Sequence, residues 1–497
     1  MTTPVGRRIV LAAVACGAVI AAGCASNPAT GGADVVTMSE KKEIDIGRQM
    51  HPKVLQQYGR YNDERLQAYV NDVGQRLAAK GDRPGITWTF TVLDSQETNA
   101  FALPGGYIYI TRGIMSYLNS EAELAAVLGH EIGHVTARHA VRQQTGATAA
   151  GVGATLIAVL TGSGSLANIA NVAGSALISG YGRDMELEAD SLGARYIGNL
   201  GYDPEAMIDV VRLLKNQEMF EIQRAREENR EPRVYHGVFS SHPDNDTRLK
   251  EVVASAGEVA RGEQRQPGEH RPDNRDVYLS RITGLPVGAS EAQGVTRGTR
   301  FYHADMGFTV AFPTGWLVQN QPAKLVGATP QKDVTLQLFV MPYPPGTTPE
   351  QFLAQNLKGT RTERGEPLEV NGLPGYTAIA QNVSLPWGNK GPARYAVIYM
   401  NNQAFVFFGC SRITSALASH DAVLLSSIKT FRRLRQREFE TADPDRILVV
   451  RATPQTTIES LAKSSPIEKY AAQQLRLLND LYPDKEPTAG QPIKIVK

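Results

Sequence analysis

Cysteine is scarce in this sequence and charge is nearly balanced, and each absence excludes a class of protein. Of the three cysteines in 497 residues, Cys16 and Cys24 lie near the N-terminus. Cys410 is therefore alone in the body of the chain, where we expect no intramolecular disulfide. The net charge is only +2 and no long block of lysine and arginine occurs, so nothing indicates a nucleic-acid partner.

Long apolar runs are missing as well. The apolar run nearest the N-terminus, residues 9–22, is short and follows the basic pair Arg7-Arg8. It has the pattern of a signal peptide rather than a membrane span. It ends in Ala21-Ala22-Gly23-Cys24, which resembles a bacterial lipobox. The resemblance implies a lipoprotein signal over residues 1–23, a lipid on the Cys24 thiol and anchoring in the outer membrane. A plain secretory signal with an incidental cysteine is the alternative.

The rest of the chain has an ordinary globular composition. Apolar residues make up 42% and charged residues 21%, and the length predicts two or three domains. Residues 24–38 are mostly small and polar and are typical of a tether. Residues 39–262 are predicted to form a mainly helical domain with a small sheet, whose strands include 86–93 and 107–111.

A long helix is predicted from residue 120 to about 144, because Ser120 and Glu123 match a capping box. The composition then shifts to Gly, Ala and Ser over residues 145–182, with an uncharged stretch that is short for a membrane span. We interpret residues 145–182 as a mobile helical hairpin or lid. A buried core helix and a membrane-touching segment are the alternatives.

Beyond residue 262 the pattern changes from helical to strand-like. Residues 263–299 begin with a charged stretch containing Pro and Gly and are interpreted as a linker. Residues 300–435 alternate apolar and polar positions between turns, which predicts an α+β domain with an antiparallel sheet. Residues 446–497 predict a strand, two helices and a strand. The fold class expected for the whole chain is therefore α+β multidomain.

The candidate chemistry lies at His130-Glu131-Ile132-Gly133-His134. Residues four apart share a helix face, so both imidazoles can bind one metal ion. Zinc suits such ligands and keeps one position open for water in catalytic sites. Glu131 can act as general base on that water and pass the proton to the leaving amine of a peptide. The motif predicts a zinc-dependent endopeptidase with one Zn²⁺ per chain; histidines that merely decorate a helix are the alternative.

A third metal ligand is expected in the acidic segment 185–190. Glu186 and Asp190 are one helical turn apart and share a face, whereas Glu188 points elsewhere. Glu186 can bind the metal while Asp190 accepts a ring N–H from a ligand histidine and orients it. From the spacing alone, a solvated acidic helix face is the alternative.

These motifs together resemble one family. His130-Glu131-x-x-His134, followed by Arg183-Asp184-x-Glu186-x-Glu188-Ala189-Asp190, is similar to the zinc metallopeptidases of the HtpX and CAAX-prenyl-protease type, and within them to the periplasmic BepA-like branch. The resemblance covers roughly residues 39–260. It implies Glu186 as the third zinc ligand, Asp190 as a supporting or proton-donating catalytic residue, and a zincin-type fold in which the strand 107–111 pairs with the substrate backbone.

Two further histidines carry different expectations. The resemblance implies that His242 lies near the site and can occupy the open zinc position as a switch ligand. The alternative is a loop histidine that fixes the turn before Pro243. His139 is five residues beyond His134, so on a continuous helix it would face away from the metal, and we assign it to the surface.

After residue 260 the sequence departs from the tandem helical repeats of the BepA-like branch. Residues 307–316 resemble the start of PsbP-like domains. Residues 456–462, 477–479 and 490–496 resemble a LysM module, which implies peptidoglycan binding. A small docking module that packs on the protease is the alternative.

The function expected from all these features is that of a periplasmic, lipid-anchored endopeptidase whose substrates are unfolded or misassembled envelope proteins. A lipoprotein chaperone, scaffold or cell-wall-binding protein with a latent zinc site is an alternative from a different class. Another zinc hydrolase, such as a wall amidase, is a third.

Overall fold

A computed structural model describes residues 24–26, 28, 31, 33–35, 38–143, 181–232, 272–321 and 324–497. The chain divides into two compact units, one made of residues 1–287 with 446–497 and the other of residues 288–445. Helices and strands are mixed throughout, which confirms the predicted α+β class. No helix in the described part of the chain has both the length and the apolar character needed to cross a bilayer.

The first unit is mainly helical and holds three small sheets. Its helices are α1 (Glu40–Tyr58), α2 (Glu64–Ala78), α3 (Arg112–Tyr117), α4 (Glu121–Thr136), α5 (Arg183–Asn199), α6 (Glu205–Glu227), α7 (Arg275–Ile282), α11 (Ile458–Lys463) and α12 (Ala471–Leu478). Its strands are β1 (Cys24–Ser26), β2 (Ala33–Val35), β3 (Thr89–Leu93), β4 (Ala100–Leu103), β5 (Tyr107–Thr111), β17 (Ile447–Arg451) and β18 (Pro492–Val496).

Helix α4 runs through the centre of this unit and is buried along its whole length. The Ser120 hydroxyl accepts the Glu123 backbone N–H at 3.1 Å, as in the predicted capping box. The Glu123 carboxylate, however, accepts the backbone N–H of Asn119 rather than that of Ser120. Burial raises the pKa of this carboxyl to about 7. The helix therefore starts as predicted, although only one of the two hydrogen bonds of the expected capping box is present.

The end of α4 differs from the prediction. The helix stops at Thr136 instead of continuing to about residue 144, because Arg138 adopts a left-handed conformation with φ 56°. The Arg138 guanidinium bonds to the buried Glu43 carboxylate at 3.0 Å and to the Met38 carbonyl at 2.8 Å. Arg83 joins the same carboxylate to the Val135 carbonyl, so α1 fixes the helix break after α4.

The C-terminal segment 446–497 is part of the first unit. It has the predicted order of strand, two helices and strand, and β17 pairs with β18 in antiparallel fashion. The Lys494 side-chain nitrogen is fully buried, which lowers its pKa, and it donates to the carbonyls of Ser116, Tyr117 and Leu118 at 2.7–3.1 Å. These carbonyls end α3 just before the cap of α4, so the tail stabilises the start of the central helix.

The region expected to be a linker, residues 263–299, is structured where it is described. Helix α7 buries Tyr278, Leu279 and Ile282 in the same core as α2 and α4. The segment after α7 bonds to the start of the tail, since Gly284 N–H donates to the Ile447 carbonyl at 2.8 Å. The chain thus leaves the first unit beside the point where it returns.

Replacing Lys494 by methionine tests the attachment of the tail. The three carbonyls lose their hydrogen-bond donor while remaining buried, so we expect the full chain to be destabilised by about 3 kcal/mol. Lys463→Met, at an exposed lysine of the same tail, should change the unfolding midpoint little. Equal midpoints for the two variants in thermal unfolding would contradict this role of Lys494.

The second unit contains two antiparallel sheets. Its strands are β6 (Val295–Arg297), β7 (Arg300–His303), β8 (Phe308–Ala311), β9 (Leu317–Gln321), β10 (Lys324–Ala328), β11 (Val334–Pro342), β12 (Thr362–Val370), β13 (Leu373–Ser384), β14 (Lys390–Met400), β15 (Gln403–Ser411) and β16 (Arg432–Arg433). The strands of the seven-stranded sheet follow the order β12-β13-β14-β15-β11-β10-β9, and those of the four-stranded sheet follow the order β16-β8-β7-β6.

Helices cover both faces of the large sheet. Side chains alternate between the two faces of a strand, so neighbouring residues of one strand pack against different helices. Phe405 and Phe407 pack with α9 (Leu417–Ile428), whereas Ala404 and Val406 pack with α8 (Pro349–Asn356). A short helix, α10 (Phe439–Ala442), follows β16. The central strands of this sheet are therefore apolar on both faces, unlike the alternation of apolar and polar positions expected for residues 300–435.

Cys410 lies fully buried in β15, where its thiol is 3.4 Å from the Thr335 hydroxyl. Burial raises the pKa of this thiol to about 11, so it is protonated and poorly nucleophilic at pH 8. We expect iodoacetamide to alkylate Cys410 at pH 8 only after unfolding, as measured by peptide mass spectrometry. Equal labelling of native and urea-unfolded protein would contradict the burial.

Candidate active site

Helices α4 and α5 approach closely enough to bring their functional side chains together. A β-carbon on Gly193 of α5 would lie 2.9 Å from the backbone nitrogen of His130, and one on Gly133 of α4 would lie 3.0 Å from the Ala189 carbonyl oxygen. Only glycine at these two positions leaves room for the contact without a shift of backbone. The contact places the histidines of α4 against the acidic residues of α5.

Three predicted ligands meet at one point. The Nε2 atoms of His130 and His134 are 2.9 Å apart. Glu186 places one carboxylate oxygen 3.5 Å from the His130 Nε2 and the other 3.6 Å from the His134 Nε2. All three side chains are buried, and their ligand atoms lie within 4.8 Å of one another.

This donor set is chemically suited to zinc. Ligand atoms at 2.0–2.1 Å around a tetrahedral zinc ion are about 3.3 Å apart, close to the separations among these three side chains. Two imidazoles and one carboxylate are also the protein ligands of a common class of catalytic zinc site, which keeps a fourth position for water or substrate. His130, His134 and Glu186 could therefore hold one zinc ion.

Asp190 and Glu131 occupy supporting positions. The Asp190 carboxylate is 2.7 Å from the Nδ1 of His130, so it can accept that ring N–H and direct the Nε2 towards the metal position. Glu131 is buried on the same helix, next to the first ligand. Asp190 thus lies behind one of the two histidines, and Glu131 lies beside the pair.

His139 is not on the surface, and that expectation was wrong. It is fully buried, with its Nδ1 2.8 Å from the Nδ1 of His134 and its Nε2 3.1 Å from the Glu188 carboxylate. The left-handed Arg138 interrupts the helix after α4, so the spacing rule for a continuous helix does not apply. Glu188, expected to point elsewhere, bonds to His139 and to Arg142.

Charge and burial act in opposite directions on Glu188 and His139. Burial opposes ionisation of Glu188, but hydrogen bonds from His139 and Arg142 outweigh it and lower the pKa of the carboxyl to about 2. Burial lowers the pKa of His139 despite the nearby carboxylate. The pair is therefore a carboxylate beside a neutral imidazole at neutral pH.

Tyr181 is a site residue that the sequence reasoning missed. Its ring stacks on that of His134 with the centroids 4.2 Å apart. Burial, with the charges of Glu131 and Glu186, raises the pKa of its hydroxyl. Tyr181 precedes α5 by two residues, and nothing in the spacing of the motifs separates it from other loop tyrosines.

The sheet beside the site also differs from the prediction that the strand 107–111 pairs with the substrate backbone. The order in this sheet is β3-β5-β4, so β5 is paired on both edges and cannot add a substrate strand. Among the described residues, β3 and β4 form the two outer edges of this sheet. The Tyr61 N–H and the Gln67 side chain already bond to the backbone of Val92 in β3, whereas β4 has no strand on its outer edge and is the candidate for such pairing. A cleft next to β4 is lined by residues of the strand, of the end of α4 and of the Tyr181 loop (Ala102, Leu103, Pro104, His134, Val135, Arg138, Tyr181).

Comparison with known proteins agrees with this geometry. Residues 64–256 match peptidase family M48. This segment is an M48 peptidase domain. The chain is 30% identical over 271 residues to the beta-barrel assembly-enhancing protease of Yersinia pestis, a match that covers 51% of each chain. It is 31% identical over 144 residues to the mitochondrial metalloendopeptidase OMA1 of Arabidopsis thaliana, covering 29% of each.

The matches are limited to part of each protein. The chain spans about half the length of the beta-barrel assembly-enhancing protease that it resembles. The solution structure of cyanobacterial PsbP from Synechocystis has 13% sequence identity, with 28% of this chain and 95% of that one covered at a TM-score of 0.23. A score that low says nothing about the fold, and the PsbP-like assignment stays a prediction.

Several predicted features lie outside the described residues. These are the switch ligand His242, the signal over residues 1–23 and most of the lid expected at 145–182. Cys24 begins β1, which pairs with β2. The M48 domain is thus described at its ligand-bearing helices, and the proposals for His242 and for the lid stay predictions.

Zinc analysis of purified variants tests the ligand set of the M48 domain. His130→Ala and Glu186→Ala each remove one of three protein ligands, so we expect zinc content to fall well below one ion per chain. Asp184→Ala, at an exposed acidic residue on the same turn of α5, should keep full occupancy. Full occupancy in the His130 and Glu186 variants after dialysis, measured by atomic emission, would exclude this site.

Proposed function

We propose that the protein is a zinc-dependent endopeptidase of the bacterial cell envelope. The convergence of His130, His134 and Glu186 at one buried point of an M48 domain is the observation that carries this proposal. Asp190 behind His130 and Glu131 beside it supply the orienting and proton-transferring groups that peptide hydrolysis needs.

The roles of the side chains follow from their positions. A zinc ion held by the three ligands would activate a water molecule and polarise the peptide carbonyl. Glu131 takes a proton from the attacking water and delivers it to the leaving amine. Asp190 keeps the His130 ring oriented. The Tyr181 hydroxyl, kept protonated by its raised pKa, is a hydrogen-bond donor next to the reacting groups.

An extended peptide is the substrate form that this site accepts. The open edge of β4 can add a substrate strand through backbone hydrogen bonds, which read little side-chain identity. Unfolded or misassembled chains expose such strands, whereas folded proteins protect them. This supports unfolded envelope proteins as the substrate class.

The envelope assignment rests on two further features. One relative is a beta-barrel assembly-enhancing protease, and the N-terminus has the pattern of an export signal that ends at Cys24. We infer a periplasmic enzyme that acts in quality control of envelope proteins and is tethered to the outer membrane through a lipid on Cys24. Release of the enzyme from membranes by Cys24→Ser would support the tether.

The tail has a docking role in this proposal. Lys494, within the LysM-like stretch 490–496, is buried against the backbone at the end of α3. Asn479, in the stretch 477–479, bonds to the backbone of Lys494. Two of the three stretches that match the LysM pattern therefore supply internal contacts, which favours docking over peptidoglycan binding.

Glu131→Gln tests the reaction directly. The amide cannot take a proton from water, so we expect turnover of unfolded casein to fall at least about 100-fold, while zinc stays bound. Glu205→Gln, at an exposed glutamate at the start of α6, serves as the control and should retain activity. Release of fluorescent peptides measures both.

Cell complementation separates this function from that of a chaperone or scaffold with a latent site. If Glu131→Gln restored a deletion strain as fully as the wild type, hydrolysis would not be the function. Cleavage of wall fragments but not of casein would instead indicate a wall hydrolase.

A further inference from the structure

The two ligand histidines are supported in different ways. Asp190 contacts the Nδ1 of His130 directly, at 2.7 Å. The Nδ1 of His134 faces another imidazole, that of His139, at 2.8 Å. Beyond His139 comes the Glu188 carboxylate at 3.1 Å, and beyond that the Arg142 guanidinium at 2.7 Å. A chain of four side chains therefore starts at one ligand and ends in an ion pair.

The proton positions along this chain are determined by elimination. A histidine that binds metal through Nε2 carries its proton on Nδ1, so His134 must donate to His139. The His139 Nδ1 then accepts and holds no proton. Its proton is on Nε2, which faces an acceptor, the Glu188 carboxylate. Every donor meets an acceptor, and only this tautomer of each ring leaves the His134 Nε2 lone pair free.

The surrounding fold holds His139 in place. The left-handed Arg138 and its bonds to Glu43 fix the helix break just before this residue. His139 itself is fully buried, and its ring meets that of His134 edge-on with centroids 4.9 Å apart. Arg142 lies one helical turn beyond His139, so the ring and the cation both reach Glu188.

We propose that His139, fixed by Glu188 and Arg142, is a positioning residue that sets the tautomer and orientation of the zinc ligand His134. This inference rests on the proposed zinc site. Removing the chain should weaken zinc binding and alter the geometry at the metal, beyond any effect on folding. The expected loss is about 10- to 100-fold in zinc affinity, the usual effect of removing the hydrogen-bond partner of a metal ligand.

The central variants are His139→Leu and His139→Gln in the full chain. Leucine fills much of the space but offers neither acceptor nor donor. Glutamine can accept from His134 through its carbonyl and donate to Glu188 through its amide, so it should recover most of the affinity. His51→Leu is the matched control, because His51 is a partly buried histidine that bonds to the Tyr109 hydroxyl, away from the ligands.

Three measurements separate positioning from folding. Zinc affinity comes from competition with a chelator, ligand geometry from the visible spectrum of the cobalt-substituted protein, and stability from thermal unfolding of the zinc-free protein. For His139→Leu we expect weaker zinc binding and a changed cobalt spectrum. His139→Gln and His51→Leu should stay within about threefold of the wild-type affinity, which is small beside the expected loss.

Glu188→Gln provides a second test of the proposal if His139→Leu does not fold. Its carbonyl still accepts from His139, but the charge that holds the ring is lost, so we expect a smaller loss of affinity in the same direction. Wild-type affinity and an unchanged cobalt spectrum in whichever of the two variants folds would overturn the proposal. Failure of the wild type itself to bind zinc would instead overturn the proposed function.

Discussion

The packing of α4 on α5 is the contact on which the site depends. Two glycines, Gly133 and Gly193, let the helices approach so closely that a β-carbon at either position would meet backbone of the other helix. The approach sets the distance between the histidines of one helix and the Glu186 carboxylate of the other. Residues 52 positions apart in sequence thereby become neighbours, and the same contact brings Asp190 behind His130.

The elements around α4 fix its two ends. At its start, Lys494 from the far end of the chain binds the carbonyls that precede the helix cap, so the tail is joined to the M48 domain. At its end, Glu43 of α1 binds Arg138 and Arg83 and stabilises the helix break. A rigid helix suits catalysis here, because small errors in the position of a ligand or base lower the rate steeply.

Local patterns predicted much of this arrangement. The i, i+4 spacing of His130 and His134 depends only on helix geometry, and so does the pairing of Glu186 with Asp190. Apolar periodicity and turn residues predicted the α+β character of residues 300–435 and the strand, helix, helix, strand order of residues 446–497. His139 was misplaced because the same spacing rule was extended past Arg138. A non-glycine residue in the left-handed region gives no warning in the sequence.

The sequence by itself therefore predicted the candidate ligand types, the candidate general base and the class of fold, since these predictions depend on residue identity and short-range periodicity. Only the tertiary structure decided which strand edge is open, which groups support the ligands and how the tail is used. Those features arise from contacts between residues far apart in the chain, such as Lys494 with Ser116 and Glu188 with His139. Their energies depend on burial and on exact approach, which periodicity does not encode.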